Sequence, residues 1–168
     1  MTWRQTGGQS FTAPLPFLVL GAGNILMADE GVGVRVLEAL KQKHLPDYAE
    51  LIDAGTALVE LLPLLRAREK VVIIDAVKWG GKPGTVYRFT PDDVTEPKHP
   101  QLSLHQVGIL EALSMAELAG WKPSHVVIFG IEPEKVEWGM ELSAEVAACV
   151  PEVVRLVAEE ITRVAPHV

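Results

Sequence analysis

Four residues able to bind a metal or move a proton, Glu30, Asp53, Asp75 and His105, fall where strand-like runs end or a helix begins. In parallel sheets the loops converge beyond the strand carboxyl ends and helix amino termini point inward, so this placement predicts four polar side chains at one rim. Two carboxylates and an imidazole suit zinc, nickel, cobalt or manganese and leave positions open for water or substrate. The four are too far apart in the chain for a local metal motif, so only the fold can assemble them. Each also has a plain structural use. Glu30 favours a helix start, Asp53 and Asp75 can turn or cap the chain, and His105 can stand exposed in a first turn.

The elements that must position them alternate. Phe17-Leu18-Val19-Leu20 is a continuous apolar run ending at Gly21, the pattern of a strand buried on both faces. Asp29 stands where it would cap a first helix marked by Val32, Val36, Leu37 and Leu40. Leu51-Ile52 runs into Asp53, and Leu58, Leu61, Leu62 and Leu65 mark a second helical face interrupted by Pro63. Val71-Val72-Ile73-Ile74, ending on Asp75, predicts the central strand. After a Gly-Gly-Lys-Pro-Gly turn, Thr85 to Phe89 suits an edge strand, and Pro91 to Pro100 reads as a loop.

Ser103 and Gln106 form a capping box, so a third helix should begin just after Ser103 with His105 in its first turn. Val126 to Gly130 is the last strand, and Val146 to Val164 mark a closing helix with a potential bend at Pro151. The expectation is a single-domain, three-layer α/β fold over residues 17–168, behind a flexible leader at residues 1–16. Its mostly parallel, twisted sheet should have about five strands, with helices on both faces.

Composition narrows the function. A chain of 168 residues, 48% apolar and 22% charged, is a globular domain rather than a disordered or fibrous segment. A net charge of −7 with no basic cluster argues against nucleic acid as partner. The one cysteine, Cys149, excludes an internal disulfide or a Cys-x-x-Cys site and reads as core packing. No run resembles a signal peptide or spans a bilayer, so a cytoplasmic protein without membrane contact is expected. Gly21-Ala22-Gly23 begins like a dinucleotide fingerprint, but Leu26 holds the third glycine position and Asp29-Glu30 would repel a pyrophosphate. The Gly-x-Ser-x-Gly elbow and the His-Glu-x-x-His helix are both missing.

The run from Gly21 through Asp29-Glu30-Gly31-Val32-Gly33 to Val34 resembles the opening motif of the nickel-iron hydrogenase maturation endopeptidases. In order follow Asp53-Ala54-Gly55-Thr56, Ile74-Asp75-Ala76, Pro83-Gly84-Thr85, Ser103-Leu104-His105-Gln106 and Gly130-Ile131-Glu132-Pro133, each similar to that family's pattern. The resemblance implies removal of a carboxyl-terminal tail from a hydrogenase large-subunit precursor after nickel insertion. It places metal ligation on Glu30, Asp75 and His105, and cleavage with substrate discrimination on Asp53. Nickel brought by the substrate is then the expected metal, with zinc or another divalent ion as a variant held by the protein itself. Ala54 stands where many members have glycine, and Leu104 where proline often precedes the histidine.

A monomer in isolation is expected. Rival readings are a nickel-dependent docking chaperone without a peptidase step, and a nucleotide-binding α/β enzyme. Trp79 and Lys82, in the loop after Asp75, are candidates to touch the precursor, with core cover and solvation as their plain alternatives. Trp3, Trp121 and Trp138 read as structural.

Overall fold

A computed structural model describes residues 14–56, 58–94 and 104–163, with the backbone alone at 58, 59, 61 and 104–107. The apolar run forms strand β1 (Phe17–Ala22), buried throughout. A 3-10 turn, Ala28–Gly31, leads into helix α1 (Val32–Leu40). Next come β2 (Ala49–Gly55), a 3-10 stretch (Leu58–Leu65) and β3 (Lys70–Ala76). The chain continues through β4 (Val86–Phe89), α2 (Pro91–Val94), α3 (Leu104–Leu118), β5 (His125–Ile131) and α4 (Ala144–Thr162).

The five strands lie in the order β2-β1-β3-β5-β4. All pairings are parallel except that of β4, which closes one edge antiparallel to β5. β3 is central, as its branched residues predict. Alternation along the strands divides the core into two layers. Val19, Val72, Ile74, Val127 and Phe129 pack against α1 and α4. Leu18, Leu20, Val71, Ile73 and Ile128 pack against α3 and Leu65 of the 3-10 stretch. Full burial of each such side chain contributes about 1.5–3 kcal/mol, which explains why continuous apolar runs are needed here.

Several expectations change. The segment marked by Leu58 to Leu65 is 3-10 rather than α-helical, with Pro63 inside it. Proline lacks an N–H and so removes one bond from the ladder of a segment only 8 residues long, where an α-helix is marginal, whereas the longer α4 keeps its winding through Pro151. The expected loop from Pro91 carries a short helix, α2, and its remainder from 95 to 100 lies outside the described residues. Helix α4 runs as one helix through Pro151, which lies on its exposed side. Asp29 does not cap α1; Gly31 occupies that position without a side-chain bond. Helix α3 begins directly after Ser103 as expected, although Ser103 itself and residues 1–13 of the leader lie outside the described residues. Among the described residues no helix is long and apolar enough to cross a membrane.

Candidate active site

Two glycines decide how closely the first loop approaches the sheet. Gly23 has φ +120°, and a Cβ there would lie 1.8 Å from the Glu30 carbonyl oxygen. A Cβ on Gly33 would lie 2.2 Å from the Ile74 carbonyl oxygen and 2.3 Å from that of Ala22. Only glycine allows such approach. Helix α1 therefore starts against the ends of β1 and β3, and the preceding turn delivers Glu30 beside Asp75.

Asp75 is buried at 1% exposure near the end of β3. Its Oδ1 accepts the Ala76 N–H at 2.8 Å, while Oδ2 has no hydrogen-bond partner among the described residues. Burial pushes its carboxyl up; the Ala76 bond opposes this and the charge of Glu30 adds to it, leaving the pKa raised to about 7. Asp75 also borders a narrow apolar space of about 10 Å³, lined by Val77, Phe89, Ile109 and Ile128 among others. That is close to the minimum for one water. His105 is the second residue of α3, one turn before Ile109. Its side chain lies outside the description.

Asp53 stands on the same rim but apart. Gly21 pairs with Asp53 on one side and with Ile74 on the other, so β1 separates the two aspartates. Two strand spacings put their backbones about 10 Å apart. Ile52 and Ala54 pack in the α3 layer, so alternation turns Asp53 to the opposite face, whereas Asp75 lies against residues of the α3 layer. Asp53 is exposed, and its Oδ1 accepts the Gly55 N–H at 2.9 Å. The structure thus brings Glu30 and Asp75 together, keeps Asp53 separate, and places the His105 backbone at the opening of α3. Among the described residues no group of three His, Cys, Asp or Glu side chains could hold a metal ion. Ala54, where glycine is frequent in the resembled motif, is a buried member of the core.

Glu132, just beyond β5, belongs to a run that resembles the family's pattern, but the sequence assigned it no role. Its buried carboxylate accepts the N–H groups of Trp79 at 2.9 Å, Gly80 at 3.2 Å and Gly81 at 3.2 Å, and the Tyr87 hydroxyl at 2.9 Å. It holds the loop that follows Asp75. Trp79 packs at a tilt against Tyr87 and Phe89 at centroid distances of 4.8 and 4.5 Å, which favours its plain role as core cover. Lys82 in the same loop is exposed. Burial, then the bond to Glu132 and its charge, raise the Tyr87 hydroxyl above its ordinary range. The signal for Glu132 was present, since it is an acid at the same strand ends that marked Asp53 and Asp75.

The hydrogenase maturation protease family matches residues 34–160. The chain belongs to the hydrogenase maturation proteases. It is 39% identical to the hydrogenase 2 maturation protease of Escherichia coli over 135 residues, covering 79% of this chain and 82% of that protein. Identity to the hydrogenase expression/formation protein HupD of Rhodobacter capsulatus is 40% over 137 residues, covering 80% of this chain but 65% of HupD. The solved E. coli hydrogenase maturating endopeptidase HybD superposes with a TM-score of 0.79 at 35% identity, covering 88% of this chain and 92% of that one. The [NiFe] hydrogenase maturation protease HybD from Thermococcus kodakarensis superposes with a TM-score of 0.74 at 29% identity, covering 86% and 98%.

In this maturation protease, the acid beside Glu30 braces the rim. Asp29 is fully buried, and its Oδ2 accepts the N–H groups of Glu134 at 2.9 Å and Lys135 at 3.0 Å. Trp138, read as structural from the sequence, is 81% exposed in the loop so held. Trp121 does pack against the α3 layer. Trp3 lies outside the described residues.

Proposed function

We propose that this chain is an endopeptidase that removes the carboxyl-terminal extension of a nickel-iron hydrogenase large-subunit precursor, and that it reads nickel already seated in that substrate. The observation that carries the metal reading is the pair Asp75 and Glu30. One buried carboxylate oxygen lacks a partner among the described residues, and a second acid bears on it electrostatically. Such crowding costs stability unless a cation relieves it. Glu30 and Asp75 would supply two oxygen donors and His105, opening α3, the imidazole. Bound there, the ion would act as a Lewis acid on the scissile carbonyl or a water.

Asp53 is exposed and two strands from Asp75, a position suited to engaging the substrate chain and orienting water rather than ligating the same ion. The protein acts as a cytoplasmic monomer, with no nucleic acid or membrane as partner.

The test is to incubate the purified protein with nickel-loaded and nickel-free precursor and follow precursor mass. Cleavage of the loaded form alone is expected. Equal cleavage of both ends the checkpoint reading, and an unchanged mass in both ends the peptidase reading in favour of a docking chaperone. Tightly held stoichiometric zinc in the protein as isolated would instead make it a metallopeptidase with its own ion.

A further inference from the structure

Three large apolar side chains stand exposed on the two loops that meet beside Glu30: Leu26 at 45%, Trp138 at 81% and Met140 at 57%. They are presented on a stiff frame. Met27 and Gly139 form a parallel bridge, in which Ala28 N–H donates to the Gly139 carbonyl at 2.7 Å and Gly139 N–H to that of Leu26 at 3.0 Å. The Asp29 carboxylate holds the start of the second loop at Glu134 and Lys135, and Arg35 Nη2 donates to the Met140 carbonyl at 2.9 Å. A side chain such as tryptophan exposed on a braced backbone gains nothing for the fold. It gains when a partner covers it, and tryptophans so placed dominate the energetics of interfaces.

We propose that the Leu26–Trp138–Met140 patch is the docking surface on which the hydrogenase precursor is seated before cleavage. The inference rests on the function proposed above and specifies where the substrate is held. Continuity favours this occupant, because Leu26 and Glu30 share one loop and a chain bound at the patch reaches the rim within a few residues. A second copy of the protease on the same patch would instead cover that rim. The charges beside the patch state the partner's chemistry. Glu134, Glu137 and Glu141 are exposed there, against Lys135, which lies 3.5 Å from Glu137, and the part-buried Arg35, which is paired with Glu38. The seated segment accordingly carries apolar side chains flanked by lysine or arginine.

The experiment compares the full-length protein with Trp138→Ala, the double variant Leu26→Ala/Met140→Ala, and Leu118→Ala as control. Leu118 is 90% exposed but sits at the far end of α3, away from the rim. Cleavage kinetics, precursor Kd, thermal unfolding and oligomeric state are measured together. Both patch variants should raise KM and Kd about 10- to 30-fold, with kcat within about twofold and unchanged unfolding, whereas the control matches the parent. Added salt should raise the parent's KM. Unchanged KM and Kd in Trp138→Ala overturn the proposal. So does a parental dimer that Trp138→Ala converts to monomer, since the occupant is then a second copy. If the parent binds the precursor without cutting it, the peptidase reading fails while Kd still judges the patch; if it does neither, both fall.

Discussion

The Asp29 carboxylate takes two hydrogen bonds from Ser143, its N–H at 2.7 Å and its hydroxyl at 2.8 Å, across a sequence separation of 114. Ser143 is the N-cap of α4, yet its hydroxyl makes no bond to that helix. It is committed to the loop that carries Glu30. Ser143→Ala should therefore cost about 1 kcal/mol, and Asp29→Ala about 2–4 kcal/mol, because three backbone N–H groups then lose their acceptor. Urea unfolding measures both. Burial alone would raise the Asp29 carboxyl, but the bonds from Lys135, Ser143 and Glu134 outweigh it and hold the group below its ordinary value. Its contribution is thus complete above the unfolded pKa near 4 and is lost as pH falls through the lower folded value.

Asp75 has the opposite sign. The unfolded chain releases this proton near pH 3.8 and the folded chain near 7, so the folded state binds more protons between those values. Stability should fall as pH rises from about 4 to 7, by on the order of 3–4 kcal/mol, and level off above. Chelator-treated protein should show this slope in unfolding free energy, and Asp75→Asn should lack it. Equal slopes in the two proteins would contradict the burial argument.

At the other end of β3, Lys70 Nζ is buried and donates to Glu160 Oε1 at 2.6 Å and to the Glu160 carbonyl at 2.8 Å. Arg88 Nε donates to Glu160 Oε2 at 3.0 Å from a half-exposed position. Glu160→Gln should cost about 3–5 kcal/mol, because the Lys70 charge stays buried without its counter-ion. Arg88→Ala should cost less than about 1 kcal/mol. Precursor cleavage per folded molecule should not change in either, as activity corrected for folded fraction would show.

Glu132→Gln tests the nest behind Asp75. The variant keeps one acceptor oxygen for four donors, so a loss of about 2–4 kcal/mol is expected. Trp79, whose N–H is among those donors, should report it through a change in indole fluorescence. Tyr87→Phe, which removes only the hydroxyl bond, should cost about 1 kcal/mol.

Asp53→Asn separates a role in chemistry from one in fold. The residue is exposed and, among the described residues, its Oδ1 accepts the Gly55 N–H, which an amide oxygen can also accept. Thermal unfolding should stay unchanged while kcat for the nickel-loaded precursor falls about 10²- to 10⁴-fold. Unaltered kcat would remove Asp53 from the reaction.

Much of the architecture was legible because it depends on local pattern. The continuous apolar runs at Phe17 to Leu20, Val71 to Ile74 and Val126 to Phe129 are the only way to bury a strand on two faces, and they predict β1, β3 and β5. The 3-10 winding at Leu58–Leu65 was less so, since helical spacing of leucines does not distinguish one winding from another. Trp138 read as structural because residue type says what burial would gain, not whether a neighbour is there to provide it.

The sequence by itself determined the alternation of strands and helices and the strand ends that carry Asp53 and Asp75. Tertiary structure alone decided that Asp29 ties α4 to the first loop, that Glu132 holds the loop after Asp75, and that Asp53 stands two strands from Asp75. The reason is range. Periodicity and capping act over a few residues and leave a trace in order and spacing. A buried carboxylate takes its donors from whatever backbone the packed sheet and helices bring to it, here 114 positions away at Asp29 and 53 at Glu132.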